Sequence, residues 1–210
     1  MSIASFFRKP GASSSSDEGS SKRQKTEAEA ALTEPLTFVV WNANSLISRV
    51  DSNRGELRSF LETTRPDVVY ISEVRMPAAA PPGAKVGDGQ PRSHGKLSTA
   101  TKAASEEAER VKAFVAQAGY RAYFSLAEKK YAGSALLVKR SCTQPTQLRF
   151  SLDADAPASA HDREGRVVLA SFASLDFLGT YVPNNGGSEE SFARRRAWDE
   201  VRPRAGAQTL

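Results

Sequence analysis

The chain has 210 residues, 29 basic and 24 acidic, and a formal net charge of +5, so it is long enough for one folded domain beside an unfolded segment. Its pI of about 9.4 excludes an acidic, solvating disordered protein and favours a polyanionic partner. No stretch reaches the roughly 18 uninterrupted apolar residues of a membrane helix. The N-terminus also lacks the layout of a secretory signal. We therefore expect a protein inside the cell that has no contact with a membrane.

Cysteine and histidine are too scarce for the usual zinc sites. Cys142 is the single cysteine, and His94 and His161 are the two histidines. One cysteine cannot form an internal disulfide, and this set does not provide the four ligands of a structural zinc site. Any metal is therefore expected to be bound by oxygen ligands.

Residues 1–35 differ in composition from the rest of the chain. They contain a serine run at 13–16, scattered charge and few aliphatic residues after Phe7. Such a segment buries too little apolar surface to offset the entropy of ordering. The sequence predicts a disordered tail over 1–35 and a folded domain over 36–210.

The folded part begins with a predicted strand, helix and strand. Residues 36–41 and 67–71 are short apolar runs rich in β-branched and aromatic residues, which is typical of buried strands. Between them, Asn53 and Glu56 have the spacing of a helical capping box, and Pro66 ends the helical pattern.

Residues 76–105 interrupt this regular pattern. They are rich in Ala, Pro, Gly, Ser and Lys and have no apolar periodicity, so we expect a solvated insertion. A helix follows over 106–118, and Gly119 is placed to end it.

The remaining elements are mostly strands. Four are predicted, over 120–125, 134–139, 165–172 and 176–182, and a helix follows from Glu189 with Phe192, Trp198 and Val201 among its later residues. Helices separate only some of the strands. The pattern therefore predicts an α/β fold of layered-sandwich type rather than a doubly wound sheet.

Polar side chains follow several of the predicted strands. Asn42 and Asn44 follow the first strand, Glu73 the second, and Tyr181 and Asn184 lie at the end of the last. Functional groups often gather at strand ends, although an Asn there is commonly a turn residue and a Glu commonly caps a helix or faces water. Each position taken alone leaves both interpretations open.

Five segments resemble, in their residues and in their order along the chain, motifs of the exonuclease III/apurinic-apyrimidinic endonuclease family, within the endonuclease/exonuclease/phosphatase superfamily. The most specific is Thr-Tyr-Val-Pro-Asn at 180–184, which continues in the family's order and spacing towards Trp198-Asp199. The others are Trp-Asn-Ala-Asn-Ser-Leu at 41–46, Ser-Glu-Val-Arg at 72–75, Lys-Tyr-Ala-Gly at 130–133 and His-Asp-Arg-Glu-Gly-Arg at 161–166.

The resemblance implies a four-layer α/β sandwich, here incomplete, and a site that contains Mg²⁺, with Mn²⁺ as an alternative ion. Glu73 would be the metal-binding carboxylate, with Asn44 beside the metal. Asn42 would position catalytic groups in the same pocket. Tyr181 would direct its phenol at the scissile phosphate, and Asn184 would orient that phosphate.

The same resemblance implies contacts to DNA. Arg75, Tyr131 and Arg166 are the candidates for binding the DNA backbone, where cations supply affinity without reading sequence. A structural alternative remains open for two of them, because Tyr131 can simply pack and Arg166 can brace the fold.

The chain also departs from the family pattern. Ser45, Ser72, Val74 and Arg75 stand where the family usually has Gly, Gln, Thr and Lys. The family's Gly-Asp-Leu-Asn strand and Ser-Asp-His motif, which supply an Asp, an Asn and the catalytic His, are absent. We therefore expect a fragment or truncated gene product that covers the family's N-terminal half, leaves a sheet edge unpaired and hydrolyses phosphodiesters poorly.

The tail contains two short motifs. Ile3, Phe6 and Phe7 resemble the sliding-clamp-binding motif of replication and repair proteins, without its usual leading Gln, and an accidental Phe pair is the alternative. Lys22, Arg23 and Lys25 form a basic cluster compatible with nuclear import, although such clusters arise often by chance. Together they predict a nuclear protein that contacts the sliding clamp.

The sequence thus predicts a Mg²⁺-dependent endonuclease of base excision repair that acts on double-stranded DNA at abasic sites, with 3′-5′ exonuclease or 3′-phosphodiesterase activity as a further expectation. The rival interpretation is a truncated, non-catalytic protein that binds DNA or the sliding clamp. A superfamily member that acts on lipid or nucleotide phosphates fits the tail and the 180–184 block less well.

Overall fold

The computed structural model describes residues 32–78, 102–127, 130–152 and 163–200. The predicted clamp-binding residues Ile3, Phe6 and Phe7 and the predicted import residues Lys22, Arg23 and Lys25 lie outside the described residues. So does most of the predicted insertion.

A four-stranded sheet forms the centre of the described fold. Its strands are β1 (Phe38–Asn42), β2 (Val68–Ser72), β3 (Tyr120–Ser125) and β4 (Ser134–Lys139), in the spatial order β1-β2-β4-β3. β1 and β2 are parallel, and the other two pairs are antiparallel. The parallel pair brings the carboxyl ends of β1 and β2 to one edge of the sheet.

Three helices cover one face of this sheet. They are α1 (Leu46–Ser52), α2 (Arg54–Thr64) and α3 (Lys102–Gln117). They form one apolar core with the strands, because Val50 of α1, Leu61 of α2 and Phe114 of α3 join Val69 and Ile71 of β2 in a single buried cluster. Burial of this apolar surface stabilises the sheet by about 25 cal/mol per Å² removed from water.

A second, three-stranded antiparallel sheet covers the opposite face. It consists of β5 (Gln147–Arg149), β6 (Val167–Ser171) and β7 (Asp176–Thr180), in that spatial order. The residues shared by the two inner faces are buried together: Val68, Tyr70, Tyr123, Leu136 and Val138 from the first sheet, and Val168 and Ala170 from β6. A last helix, α4 (Glu189–Glu200), packs Trp198 with Val167 on the outer side of β6. Helix, sheet, sheet and helix make the predicted four-layer α/β sandwich.

Two glycines lie where the sheets approach each other closely. A Cβ on Gly165 would lie 2.3 Å from the Ser125 carbonyl oxygen, and one on Gly179 would lie 2.4 Å from the Tyr70 ring. Gly165 also has φ of +67°, which other residues rarely adopt. Both positions therefore require glycine.

The end of the tail and both ends of the insertion differ from the positions that composition predicts. The folded part includes the end of the predicted tail, since the Glu34 carboxylate accepts hydrogen bonds from Thr143 (2.5 Å) and Ser174 (2.8 Å). Met76 is fully buried and Ala78 is 2% exposed, and α3 begins at Lys102. Composition could not place these borders because they depend on contacts with distant segments.

The first predicted strand is an edge strand among the described residues, not a buried one. Val39 and Trp41 pack towards the helices, whereas Val40 is 72% exposed. Phe38 stacks on Phe177 of β7 at 5.8 Å between ring centroids, so the edges of the two sheets meet here. The rest of the first sheet's inner face, on β2, β3 and β4, is covered by the second sheet.

No helix in the described part of the chain is long and apolar enough to cross a membrane.

Candidate active site

The loops after β1 and β2 run side by side at one end of the first sheet. Pairing continues past the strands, with the Ala43 N–H donating to the Ser72 carbonyl (3.0 Å) and the Ser45 N–H donating to the Glu73 carbonyl (2.8 Å). The Val74 N–H donates to the Gly133 carbonyl of the turn before β4 (3.1 Å). Three loops are thus held together around Glu73.

The carboxylate of Glu73 is the centre of this cluster. Its Oε1 atom accepts hydrogen bonds from the Asn42 amide nitrogen and from the Tyr181 hydroxyl, both at 2.9 Å. Its Oε2 atom accepts one from the Arg75 guanidinium at 2.5 Å. Since Asn42 belongs to β1 and Tyr181 directly follows β7, the carboxylate joins the two sheets.

These contacts set the ionisation of the two central groups. The Asn42 hydrogen bond is the largest cause that holds the pKa of Glu73 below its ordinary value, and Tyr181 and Arg75 act in the same direction. Burial, followed by the neighbouring Glu73 carboxylate, raises the pKa of the Tyr181 phenol. At neutral pH the cluster therefore holds an anionic Glu73 and a protonated Tyr181.

The backbone around the cluster is unusual. Positive φ angles occur at the non-glycine residues Asn44 (46°), Ser45 (86°), Glu73 (53°), Arg75 (51°) and Ala132 (47°). Non-glycine residues with such angles cost of order 1–3 kcal/mol each and concentrate at functional sites. Their concentration in these three loops, set against a regular backbone in the strands, supports a functional site here.

Asn44 and Asn184 lie near strand ends, as the sequence predicts, but neither side chain hydrogen-bonds to Glu73. The Asn44 N–H donates to the Asn42 side-chain oxygen at 3.0 Å, and the Asn44 side chain is exposed. The Asn184 side-chain oxygen accepts from the Gly186 N–H at 3.2 Å in the turn after β7. Their predicted roles as metal-side and phosphate-orienting groups stay predictions.

The three predicted DNA-binding residues have different surroundings. Tyr131 is 51% exposed, and the side chain of Arg75 is 46% exposed. Arg166 is 2% exposed, and its guanidinium donates to Glu164 (2.5 Å), to the Tyr181 carbonyl (3.0 Å) and to the Tyr131 hydroxyl (3.1 Å). For Arg166, burial favours the alternative interpretation in which it braces the fold.

Comparison with known proteins agrees with this geometry. No protein-family model matches the chain. The chain is 42% identical over 179 residues to a DNA-(apurinic or apyrimidinic site) endonuclease of Arabidopsis thaliana, covering 83% of this chain and 47% of that protein. It is 34% identical to the Plasmodium falciparum protein of the same description, over 78% of this chain and 28% of that one.

The chain belongs to the AP endonuclease/exonuclease family.

Solved structures of this family share the fold. An AP endonuclease from Archaeoglobus fulgidus matches with a TM-score of 0.52 and 21% identity, over 79% of this chain and 49% of that one. A 3′-5′ exonuclease from Neisseria meningitidis matches with a TM-score of 0.50 and 19% identity, over 78% of this chain and 48% of that one. The chain spans half or less of the length of each of these relatives.

The oxygen donors at Glu73 fit a hard divalent cation. The described residues contain no group of three or more His, Cys, Asp or Glu side chains placed to bind a metal. Mg²⁺ needs fewer protein ligands, because it commonly keeps several waters and binds through one or two carboxylates. Glu73, 16% exposed and beside the Asn42 amide, meets that requirement.

Sequence reasoning missed two residues that support the site in this family member. Glu164 is the ion-pair partner of the buried Arg166, and its carbonyl accepts from the Gly133 N–H at 3.1 Å. Arg49 of α1 donates to the Ala43 carbonyl at 3.0 Å and so fixes the loop after β1. The signal available for the first is the acidic residue two positions before Arg166, since oppositely charged side chains this close in sequence can form an ion pair, as Glu164 and Arg166 do.

Proposed function

We propose that this chain carries the Glu73 side of the active site of a DNA-(apurinic or apyrimidinic site) endonuclease that cleaves double-stranded DNA at abasic sites in base excision repair. One observation carries the proposal: a single carboxylate, at the end of a parallel strand pair, is held by Asn42 from one sheet and Tyr181 from the other. The identity to relatives described as AP endonucleases supports the same substrate class. Trimming of 3′ ends is proposed as a secondary activity.

The residues of the site have distinct roles in this proposal. Glu73 would bind Mg²⁺ or Mn²⁺, with the Asn42 and Asn44 amides beside it. The ion, when bound, would stabilise negative charge on the cleaved phosphodiester.

Tyr181 keeps its proton at neutral pH and can therefore donate a hydrogen bond to a phosphate oxygen, exchanging its contact with Glu73 for one with the substrate. Arg75 and Tyr131 are exposed beside it and would contact the DNA backbone.

Cleavage of a duplex with one synthetic abasic site tests the proposal. The 210-residue chain, its Glu73→Gln variant and any longer product of the same transcript would be compared with Mg²⁺ and with EDTA. Glu109→Gln, which removes an exposed carboxylate from α3, is the matched control. In whichever of these products nicks the duplex, we expect the nicking to require Mg²⁺, to be abolished by Glu73→Gln and to be retained by the control.

The rival function is a non-catalytic protein that binds DNA or the sliding clamp. It would be favoured if the wild-type chain and every longer product bound the abasic duplex without nicking it. Nicking that persisted in EDTA or in the Glu73→Gln variant would contradict the proposed role of Glu73.

We also propose, from the sequence alone, nuclear localisation through Lys22, Arg23 and Lys25 and contact with the sliding clamp through Ile3, Phe6 and Phe7. A fluorescent fusion of the chain should lose nuclear accumulation when the three basic residues become Ala. Clamp binding, measured by calorimetry, should be lost in the Phe6→Ala, Phe7→Ala double variant. Unchanged behaviour of either variant would contradict the corresponding proposal.

A further inference from the structure

Arg166 is a buried charge between the half-buried Tyr181 and the exposed Tyr131. All three guanidinium nitrogens have protein acceptors, namely the Glu164 carboxylate, the Tyr181 carbonyl and the Tyr131 hydroxyl. A buried guanidinium is tolerated only when it is paired and hydrogen-bonded in this way. Each nitrogen therefore already donates to the protein, and with Arg166 only 2% exposed the guanidinium offers little access to a phosphate.

The two tyrosine rings flank the same guanidinium. Its central carbon lies 4.7 Å from the centroid of the Tyr181 ring and 5.7 Å from that of Tyr131. Both distances are in the range of cation–π contacts, which fix a ring more firmly when the cation is desolvated. Arg166 thus contacts both tyrosines through a ring face and through a hydrogen bond.

Tyr181 is held at its backbone and its ring by one residue. Its N–H donates to the Arg166 carbonyl at 2.8 Å, its own carbonyl accepts from the Arg166 side chain, and its ring lies against the guanidinium. The hydroxyl at the far end of the ring donates to Glu73. The direction of that hydroxyl therefore depends on where Arg166 places the ring.

We propose that Arg166 is a positioning residue for strand cleavage, which aims the Tyr181 hydroxyl into the Glu73 site and holds Tyr131 at the adjoining surface. The inference rests on the proposed function. It replaces the role of Arg166 as a direct DNA contact by an action through the two tyrosines.

Lysine cannot replace arginine in this role. A guanidinium is a planar fork whose donors point in fixed directions and whose face stacks on rings, whereas an ammonium is a compact point charge. Arg166→Lys keeps the charge that faces Glu164 but cannot reach three acceptors in one plane. It therefore separates the positioning of the tyrosines from simple charge neutralisation.

The first test is a double-mutant cycle on abasic-site cleavage with Arg166→Lys, Tyr181→Phe and the combination, made in the product that nicks the duplex. We expect Arg166→Lys to lower kcat by about 10- to 100-fold, the scale of a misplaced catalytic group, with KM changed less than about threefold. In the Tyr181→Phe background, where no hydroxyl remains to be aimed, it should cost less than about twofold. Arg140→Lys, an exposed arginine beyond the end of β4, is the control and should change neither constant.

Two results of that cycle would overturn the proposal. One is an equal loss in both backgrounds, which would mean that Arg166 does not act through Tyr181. The other is a rise in KM with a weaker salt dependence of DNA binding at unchanged kcat, which would mean that Arg166 contacts a phosphate directly.

A second measurement does not require catalysis. In metal-free protein with ¹³Cζ-labelled tyrosine, Arg166→Lys should shift the signals of Tyr131 and Tyr181 and leave that of Tyr120, which donates to the Pro66 carbonyl, in place. Unchanged Tyr131 and Tyr181 signals would overturn the inference. Absence of nicking by the wild-type chain and every longer product would instead contradict the proposed function, and the labelled spectra would still decide the role of Arg166.

Discussion

The two ends of strand β2 each carry a carboxylate, and the two have opposite surroundings. Asp67 precedes the strand and Glu73 follows it, with side chains 18% and 16% exposed. Asp67 accepts from the backbone N–H groups of Leu36 and Thr37, both at 3.0 Å, and from the Thr37 hydroxyl. The Glu73 carboxylate accepts only from side-chain donors among its described hydrogen bonds.

This difference predicts a structural role for the Asp67 carboxylate and supports the proposed functional role of the Glu73 carboxylate. A carboxylate bound by backbone N–H groups cannot change partners unless the adjoining chain moves, so Asp67 fixes the segment that leads into β1. Side-chain donors can rotate away and leave the fold intact. Glu73 is therefore the carboxylate that can exchange its partners for a metal or a substrate.

The largest expected effect is on cleavage. Glu73→Gln should lower kcat at least about 100-fold, because a neutral amide replaces the metal-binding charge, while Asp67→Asn should change it less than about threefold. Nicking of the abasic duplex with Mg²⁺ measures both. A comparable loss in the two variants would erase the distinction between the two ends of the strand.

For stability, we expect Asp67→Asn to have the larger effect and Glu73→Gln the smaller. Asp67→Asn should lower the free energy of unfolding by about 2 kcal/mol, because charge-assisted bonds to backbone donors are lost, whereas Glu73→Gln should lower it by less than about 1 kcal/mol. Denaturation in urea at pH 7 measures both values. The comparison fails if Glu73→Gln proves the more destabilising change.

We expect acid to lower the free energy of unfolding through protonation of Asp67. Burial raises the pKa of Asp67, but the hydrogen bonds from Leu36 and Thr37 outweigh it and lower the pKa from 3.8 to about 2. A lowered pKa contributes stability that is complete above the unfolded value and is lost as the pH falls through the folded one. Unfolding free energies between pH 5 and pH 2 should therefore fall less steeply in Asp67→Asn than in the wild type; parallel slopes would contradict this prediction.

The smallest effect concerns the ionisation of Glu73. Asn42→Ala removes the largest cause of its lowered pKa, so the pKa should rise towards the ordinary value. A ¹³C titration of the Glu73 side-chain carboxyl in metal-free protein measures the change. The control is Asn53→Ala, which deletes a side-chain amide at the junction of α1 and α2. An unchanged Glu73 pKa in Asn42→Ala would show that Tyr181 and Arg75 suffice.

Elements with strong local patterns were predictable from the sequence. β3 and β4 have the predicted bounds, and Gly119 ends α3 with φ of +86° as its place in the pattern indicates. Pro66 ends α2, which stops at Thr64. In these places a short run of residues contains the whole signal.

Other elements depend on contacts that no local pattern records. α1 was not predicted because its seven residues directly adjoin α2, and Asn53 caps α2 without the predicted side-chain hydrogen bond. β5 was missed because it has three residues and only partial burial.

The site also has a part that was predictable from the sequence and a part that was not. Resemblance located Asn42, Glu73 and Tyr181, which the structure brings together, but the surroundings of Arg166 depend on three separate segments meeting.

The closeness of Gly165 and Gly179 to the opposite sheet has a consequence for evolution. Neither glycine carries a functional group, yet any side chain there would push the sheets apart. The Tyr181 hydroxyl comes from one sheet and Glu73 from the other, so a wedge between the sheets would lengthen a hydrogen bond that neither mutation touches. Selection for the proposed cleavage should therefore act on these two inert positions as strictly as on Glu73 and Tyr181.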